Sequence, residues 1–408
     1  MTEEEPRRGD EPGRVGELDV LRGFALLGIL LVNAQMTASP YASLGGGPTT
    51  SGADRAVAWA VTALVSGKFY LLFSFLFGYS FVLQRRSAHR AGTAFAPRHL
   101  RRVLGLFGLG LLHAVLLYPG DILMTYAALA LVLYGLRDLA PRTALRLAAG
   151  LVLTLTVLLL GYGLLTVAAT EPVTPAAYAP HAARTVAAYR GSALSVLGVH
   201  LRELPAMLRA DLTYAPDMLA AFLAGLAAAK TRLVERRGRD ARWLRAVIVH
   251  WLPVGLAGGV VTACCANGPL DSRWFLVGHA VDVLTAPALT ASYACGLLLL
   301  VRGRAAEVLA AAGRAALTNY LTQSLVLALV FTGYGLGRYD RTGPAAVTAG
   351  CLVLYGLQLA GSRTLLSRTR YGPAELLLRT ITLARRPAPS GCASPAVPPG
   401  SPAPRPAP

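Results

Sequence analysis

Residues 18–33 read LDVLRGFALLGILLVN, and this stretch decides the fold class of the chain. Asp19 and Arg22 stand three residues apart, so they share one face of a helix, and the apolar run after them has no charged residue before Asp54. Such a run predicts a first membrane-spanning helix with an ion pair at its start. Asn33 and Gln35 follow near its far end, and their amides need a polar partner or a water-filled cavity at membrane depth.

Composition places the whole chain in the same class. Apolar residues make up 54% of the 408 residues and charged residues only 15%, which excludes an ordinary soluble domain. The net charge is +18, but the arginines fall in short runs between apolar segments, so we predict a lipid bilayer as partner and no nucleic acid. The five cysteines, at 264, 265, 295, 351 and 392, lack metal-binding spacing and are interpreted as packing residues.

The apolar segments predict an all-α, polytopic transmembrane bundle of about ten spans. The basic residues before the first span resemble those of a signal peptide, but Arg22 interrupts its start, and we predict an uncleaved anchor. A short interface helix is predicted before residue 69 and another surface helix at 304–313. The predicted spans are 18–36, 69–83, 103–118, 122–136, 147–168, 216–229, 244–266, 275–300, 315–332 and 344–360.

The chain divides into a polar tail at 1–17, a helical membrane domain at 18–386 and a Pro/Ala-rich tail at 387–408 that we predict to be disordered. The longest segment outside the spans covers about 170–215. Within it, five leucines recur at helical spacing opposite charged residues, which predicts an amphipathic helix on the bilayer surface or over the mouth of a cavity. These leucines are Leu194, Leu197, Leu201, Leu204 and Leu208.

Charge distribution orients the bundle. Ten spans put both termini on one side, and that side carries 29 of the 39 lysines and arginines, whereas the other side carries eight. The remaining two, Arg22 and Lys68, lie at helix ends. Because basic loops stay in the cytoplasm, we predict a cell-membrane protein with both termini cytoplasmic.

Several polar-punctuated stretches resemble one known family. They are LDVLRGFALLGILLVN at 18–33, GKFYLLFSFLFG at 67–78, LLHAVLLYPGDILMTYAAL at 111–129, GRAALTNYLTQSL at 313–325 and YGPAELLLR at 371–379. Together they resemble the YeiB family of bacterial membrane proteins. The first helix is similar, more distantly, to the LD-x-x-RG opening of integral-membrane acyltransferases, which implies an acyl-transfer ancestry. In the heparan-alpha-glucosaminide N-acetyltransferase type a histidine acts from the loop after this helix, but residues 34–67 contain no histidine.

Four residues are the candidates for catalysis. His113 lies in the third predicted span, and Asp121 follows it across the tight turn Pro119-Gly120-Asp121. His279 and Asp282 share one face of the eighth span. A histidine beside a carboxylate suits general-base catalysis, and it suits proton-coupled transport equally well. Each histidine can also simply bond a neighbouring helix, and His279-x-x-Asp282 alone is too weak a spacing to predict a metal site.

A second set of polar residues is predicted to bind substrate or to join helices. Arg22 and Arg314 can receive the phosphates of an acyl-CoA or a lipid headgroup, and Lys68 can donate to a substrate. Rows of Thr, Asn and Gln side chains along a helix commonly join it to a neighbouring helix in lipid. We read Arg314, Thr318 and Thr322 as one such row on the ninth span, with Asn319 and Gln323 beside it. Asn33 and Gln35 complete the substrate-binding set.

Two function classes follow, together with a non-catalytic relative that kept the scaffold. The first is an acyltransferase that moves an acyl group from a cytoplasmic donor, with acyl-CoA as the candidate, to an envelope glycan, lipid or small acceptor. The second is a transporter with an intramembrane His/Asp site for substrate or protons. The topology puts five polar residues in the outer half of the membrane, and burying them separately in lipid is costly, so we predict that they share one cavity roofed by 194–208. These residues are Asn33, His113, Asp121, His279 and Asp282.

Overall fold

The computed structural model describes residues 16–42 and 51–384, and within these ranges the chain is helical with no β-strand. The predicted all-α class is confirmed. The tail at 387–408 and most of the tail at 1–17 lie outside the described residues. The helices are α1 (Gly16–Ala38), α2 (Gly52–Leu64), α3 (Lys68–Arg90), α4 (Phe95–Leu116), α5 (Leu123–Gly135), α6 (Pro141–Ala169), α7 (Pro175–Tyr189), α8 (Ala193–Lys230), α9 (Leu233–Arg237), α10 (Ala241–Asn267), α11 (Phe275–Leu300), α12 (Gly303–Arg314), α13 (Ala316–Phe331), α14 (Pro344–Arg368) and α15 (Pro373–Leu383).

The described helices account for the predicted spans. Eight segments are long and apolar enough to cross a membrane: α1, α2 with α3, α4, α6, α8, α10, α11 and α14. Two shorter apolar helices, α5 and α13, occupy the positions of the predicted fourth and ninth spans. The chain is therefore a polytopic helical bundle, as predicted.

Glycines let α1 and α12 touch. A Cβ on Gly313 would lie 1.8 Å from the carbonyl oxygen of Asp19, and one on Gly23 would lie 2.1 Å from that of Leu309. Small residues at such a crossing let two backbones approach, which is how helices in lipid commonly associate. The glycines of the LRG and GRAAL stretches are thus packing contacts in this fold.

The chain between 193 and 230 differs from the prediction in extent. The predicted surface helix at 194–208 and the predicted span at 216–229 form one continuous helix, α8, although it contains Pro205 and Pro216. Leu194 is 80% exposed and Leu201 51%, whereas His200 is 1% exposed. Leu194, Leu201 and Leu208 face away from the bundle, where lipid accepts apolar side chains, whereas Leu197 and Leu204 are half-buried.

A break separates α2 from α3. Residues 65–67 form a turn in which Gly67 has φ of +83°, a conformation that favours glycine. A Cβ at Gly67 would also lie 2.0 Å from Oδ2 of Asp282, so no side chain fits there. The predicted interface helix is α2, and the break delivers Lys68 to the first position of α3 with its side chain fully buried.

Loops predicted to share one side of the membrane contact one another. Arg239 pairs with Glu17 at 2.8 Å, and Arg85 pairs with Asp138 at 2.7 Å. The hydrogen bond from Arg85 lowers the pKa of the Asp138 carboxyl. At the other end, the backbone N–H of Asp340 donates to the carbonyl of Ala38. The relative sidedness of these loops therefore agrees with the ten-span arrangement.

Absolute orientation gives the first testable prediction. A reporter fused after Arg86 or at the C-terminus is expected to report cytoplasm, and one inserted near Pro175 is expected to report the outside. The reason is that the first two positions lie in loops rich in arginine, which stay in the cytoplasm. Paired alkaline-phosphatase and green-fluorescent-protein fusions measure this directly. Placement of residue 175 in the cytoplasm would overturn the orientation.

Candidate functional site

His113 and Asp121 form a buried pair where α4 turns back toward α5. Nδ1 of His113 lies 2.9 Å from Oδ1 of Asp121, and the two side chains are 0% and 1% exposed. The backbone N–H of Met124 donates to Oδ2 of Asp121 at 2.9 Å, and the Tyr320 hydroxyl lies 3.4 Å from Oδ1. The contact of His113 with Asp121 is a close approach of ionisable groups rather than an aligned hydrogen bond. The two residues predicted to pair across this turn do lie together.

The other imidazole nitrogen of His113, Nε2, is buried and has no hydrogen-bond partner among the described residues. The Tyr320 ring lies against the imidazole, with 4.9 Å between ring centroids. A buried polar atom without a partner is costly, so this nitrogen is a candidate for contact with a substrate or a water molecule.

The second predicted pair, His279 with Asp282, is not the pair that forms. Nζ of Lys68 donates to Oδ1 of Asp282 at 2.6 Å, and the side chains are 1% and 6% exposed. The ring of His279 packs edge-on against Tyr214, and its Nε2 has no hydrogen-bond partner among the described residues. A buried carboxylate is better neutralised by an ammonium than by an imidazole, and the α2/α3 break brings the ammonium within reach. Lys68 is therefore an ion-pair partner here.

Five polar residues of α8 lie between the His113–Asp121 pair and the Lys68–Asp282 pair. Their spacing in the sequence could have indicated this, because successive residues of the set are three or eight positions apart and therefore lie along one helix face. Thr125 donates to Asp211 at 2.6 Å near the first pair, and Tyr70 donates to Asp217 at 2.6 Å near the second. We call this set the α8 polar face: His200, Glu203, Asp211, Tyr214 and Asp217.

The described contacts arrange His113, Asp121 and Asp282 in two polar clusters joined along α8, and one cavity shared by all the predicted outer residues stays a prediction. Four buried side-chain atoms of these clusters still have no hydrogen-bond partner among the described residues: Nδ1 and Nε2 of His113, Oδ1 of Asp217 and Nε2 of His279. In the described residues, Asn33 contributes a backbone carbonyl that accepts from Thr37 at 2.7 Å. Gln35 donates to the carbonyl of Pro344 and to the hydroxyl of Thr348, both at 3.0 Å, and thereby joins α1 to α14.

The rows predicted on the ninth span are divided in the structure. Arg314 ends α12, and Ala315 separates it from α13, so it does not extend the Thr318 row. Asn319 donates to Ser362 at 2.9 Å and Gln323 donates to Gln358 at 2.8 Å, and both bonds join α13 to α14. These contacts fit the helix-joining interpretation of the two amides.

Glu375 links α15 to the start of α13. Its Oε1 accepts the backbone N–H groups of Leu317 and Thr318 at 2.6 and 3.1 Å, and its Oε2 accepts the Thr318 hydroxyl at 2.6 Å. A carboxylate in this position caps the positive N-terminal end of a helix. The YGPAE and GRAALTNYLTQSL stretches therefore meet in space.

A cavity of about 620 Å³ opens between α1, α3, α4, α5, α13 and α15. Five arginines at helix ends on the predicted cytoplasmic side line one part of it, and apolar residues line the part that reaches into the bundle. Glu375 is its one carboxylate among the described residues. The arginines are Arg22, Arg98, Arg102, Arg314 and Arg379. The apolar lining includes Leu26, Phe73, Phe77, Leu123, Tyr126 and Tyr320.

Three buried polar atoms of the cavity lining have no hydrogen-bond partner in the described ranges. They are Nε of Arg102, Nδ1 of His99 and the hydroxyl oxygen of Tyr371. Arg22 is held by Asp19 and by the Ser80 hydroxyl, the latter at 2.6 Å. Fixed positive charge at one end and apolar surface at the other suit an elongated ligand with an anionic head.

Several curated proteins are similar to almost the whole chain. The chain is 32% identical over 391 residues to "Uncharacterized protein YxaH" of Bacillus subtilis (strain 168), covering 90% of this chain and 94% of the relative. It is 28% identical over 395 residues to "Uncharacterized protein YeiB" of Escherichia coli (strain K12), covering 90% and 95%.

The chain belongs to the YeiB-like family. The family model described as "Protein of unknown function (DUF418)" matches residues 228–385, which contain α10 to α15. No solved structure matches the chain. Of the stretches quoted for the YeiB-like resemblance, GRAALTNYLTQSL and YGPAELLLR lie in that matched part, and there they form the α13–α15 contact and part of the cavity wall.

Proposed function

We propose that this YeiB-like protein is a membrane acyltransferase that takes an acyl group from an anionic donor of the acyl-CoA class and passes it to a hydroxyl of an envelope glycan or small acceptor. The observation that carries this proposal is the position of Tyr320. It lines the apolar part of the arginine-lined cavity and contacts both His113 and Asp121. The inner part of the cavity is thus one side chain away from a buried histidine–carboxylate pair.

The arginine-lined mouth supports an anionic donor. Guanidinium groups bind phosphate oxygens through paired N–H donors, and five of them around one opening favour a head with more than one phosphate. The volume of about 620 Å³ lies within the range of small-molecule sites. Apolar walls beyond the arginines suit the acyl chain.

The buried pair supports the transfer step. In the proposed reaction, Nε2 of His113 takes the proton of the acceptor hydroxyl while Asp121 stabilises the imidazolium through Nδ1. The hydroxyl oxygen bonds to the acyl carbon, the bond from that carbon to the donor sulfur breaks, and the proton passes to the leaving thiolate. Ester and free thiol are the products.

Substitution of His113 tests this function. Membranes containing the wild-type protein, incubated with radiolabelled lauroyl-CoA, are expected to transfer label to envelope material and release thiol, whereas His113→Gln is expected to lose about 10²–10⁴-fold of this rate, as for removal of a general base. Because glutamine keeps a polar side chain of similar reach, His113→Gln should fold. The measured quantities are label transfer and thiol release.

His250→Gln is the matched control, because that exposed histidine bonds only to the carbonyl of its own helix at Ala246 among the described residues. It should keep the wild-type rate. If His113→Gln is folded and transfers label at the wild-type rate, the proposal is wrong. Uptake of a solute into proteoliposomes without any covalent change would favour the transporter instead.

A further inference from the structure

Asp217 lies within α8, and one of its two carboxyl oxygens has no hydrogen-bond partner in the described part of the chain. Its side chain is 1% exposed, and the Tyr70 hydroxyl donates to Oδ2 at 2.6 Å. Oδ1 is buried and has no hydrogen-bond partner in the described part of the chain. The acyl-transfer proposal makes no use of this group.

The charges around Asp217 do not balance if it is ionised. The neighbouring Asp282 already pairs with Lys68, and the two carboxyl groups repel each other. Lys68 is the cationic side chain of this cluster within the described ranges, so it can neutralise one carboxylate but not two. The other titratable groups that face the cluster are Tyr70 on α3, Tyr126 on α5, Tyr214 on α8 and His279 on α11.

An unpaired carboxylate in a membrane span is energetically costly, and binding a proton is the simplest way to remove its charge. Nowhere in the described residues do three or more His, Cys, Asp or Glu side chains come together as a metal site. Oδ1 of Asp217 receives no hydrogen bond from the described residues. A proton bound to this oxygen would make the carboxyl group neutral. The second partnerless atom nearby is Nε2 of His279.

We propose that Asp217 is a proton-binding site, coupled to the Lys68–Asp282 ion pair and reached from the outer end of the bundle along the α8 polar face. Binding converts the carboxylate to a neutral carboxyl group. Release creates a second buried anion, which then competes with Asp282 for Lys68. This site is independent of the proposed acyl transfer.

The α8 polar face supplies the route. His200 lies near the outer end of α8, and Glu203, Asp211 and Tyr214 follow toward Asp217. Glu203 accepts from Tyr189 at 3.1 Å and Asp211 accepts from Thr125 at 2.6 Å, so both acids are held on the inner side of the helix. Titratable groups in membrane spans commonly serve as such relays.

Infrared spectroscopy of the full-length protein in lipid nanodiscs tests the site without an activity assay. At neutral pH the wild-type protein is expected to show the carbonyl stretch of a protonated aspartic acid, which shifts on labelling with carbon-13 aspartate and disappears reversibly as the pH is raised. Asp217→Asn should lack this band and still fold, because asparagine also accepts from Tyr70. Asp138→Asn, at an exposed ion pair with Arg85, should keep it.

Two further variants keep the test decisive. Tyr70→Phe should move the band to higher frequency, since one hydrogen bond to the carboxyl group is lost. Asp282→Asn should abolish the band at neutral pH, because Lys68 is then available to an ionised Asp217. Retention of the same band in Asp217→Asn, or its dependence on sodium concentration at fixed pH, would overturn the proposal.

Discussion

Lys68→Met is expected to destabilise the bundle by about 3–5 kcal/mol, the cost typical of breaking a buried ion pair by removing one partner. Methionine has a similar length, so the change removes the charge and leaves the packing largely intact. Asp282 would then remain as a buried carboxylate at the α2/α3 break, 4% exposed, without its ammonium. The measurement is the midpoint of denaturant-induced unfolding in mixed micelles, converted to a free energy of unfolding.

The double variant Lys68→Met/Asp282→Asn separates the lost charge from lost packing. Because it removes both charges, it should recover a large part of the stability lost in Lys68→Met. Lys230→Met is the matched control, since that lysine lies near the end of α8 and donates to the backbone carbonyl of Leu139. Equal stability of Lys68→Met and the wild type would show that the pair does not hold the break together.

Gly313→Leu is expected to force α1 and α12 apart and to destabilise the protein by about 1–3 kcal/mol or more, as overpacking does. The obstacle is the carbonyl oxygen of Asp19, only 1.8 Å from the site of the new Cβ. Backbone cannot rotate away as a side chain can. Gly313, Arg22 and Arg314 also line the arginine-lined cavity, so the change should weaken binding of acyl-CoA to that cavity.

Thermal unfolding and equilibrium binding of lauroyl-CoA measure the two effects of Gly313→Leu. Gly356→Leu in α14 is the matched control, because a Cβ there would have no heavy atom within 4 Å. It should leave both quantities near the wild-type values. Wild-type stability of Gly313→Leu would mean that the α1–α12 contact is not tight in the bilayer.

The span positions followed from the sequence because apolar run length alone decides them. The proximity of His113 and Asp121 is predictable from the sequence because only a tight turn separates them along the chain. Lys68 and Asp282 are 214 residues apart, and no local pattern connects residues at that separation. The spacing of His279 and Asp282 did place them on one helix face, but it gave no information on which neighbour would neutralise the carboxylate.

Two features of the site cannot be predicted from the sequence without the tertiary structure. Arg98, Arg102 and Arg379 count in the sequence as basic residues that hold loops in the cytoplasm, and only tertiary packing gathers them around one cavity. Asp211 and Asp217 of α8 follow the leucine row in the sequence, and only tertiary packing brings them to Thr125 and Tyr70.

The contact between Glu375 and the start of α13 has a consequence for biosynthesis. The cavity is bounded by Arg22 on the first described helix and by Tyr371, Leu378 and Arg379 at or within the last. Membrane helices enter the bilayer in the order in which the ribosome makes them. The cavity wall that begins with α1 is therefore completed only when α15 is made, near the end of translation. A chain that terminated prematurely near residue 370 would insert every apolar helix and still lack the wall that α15 provides.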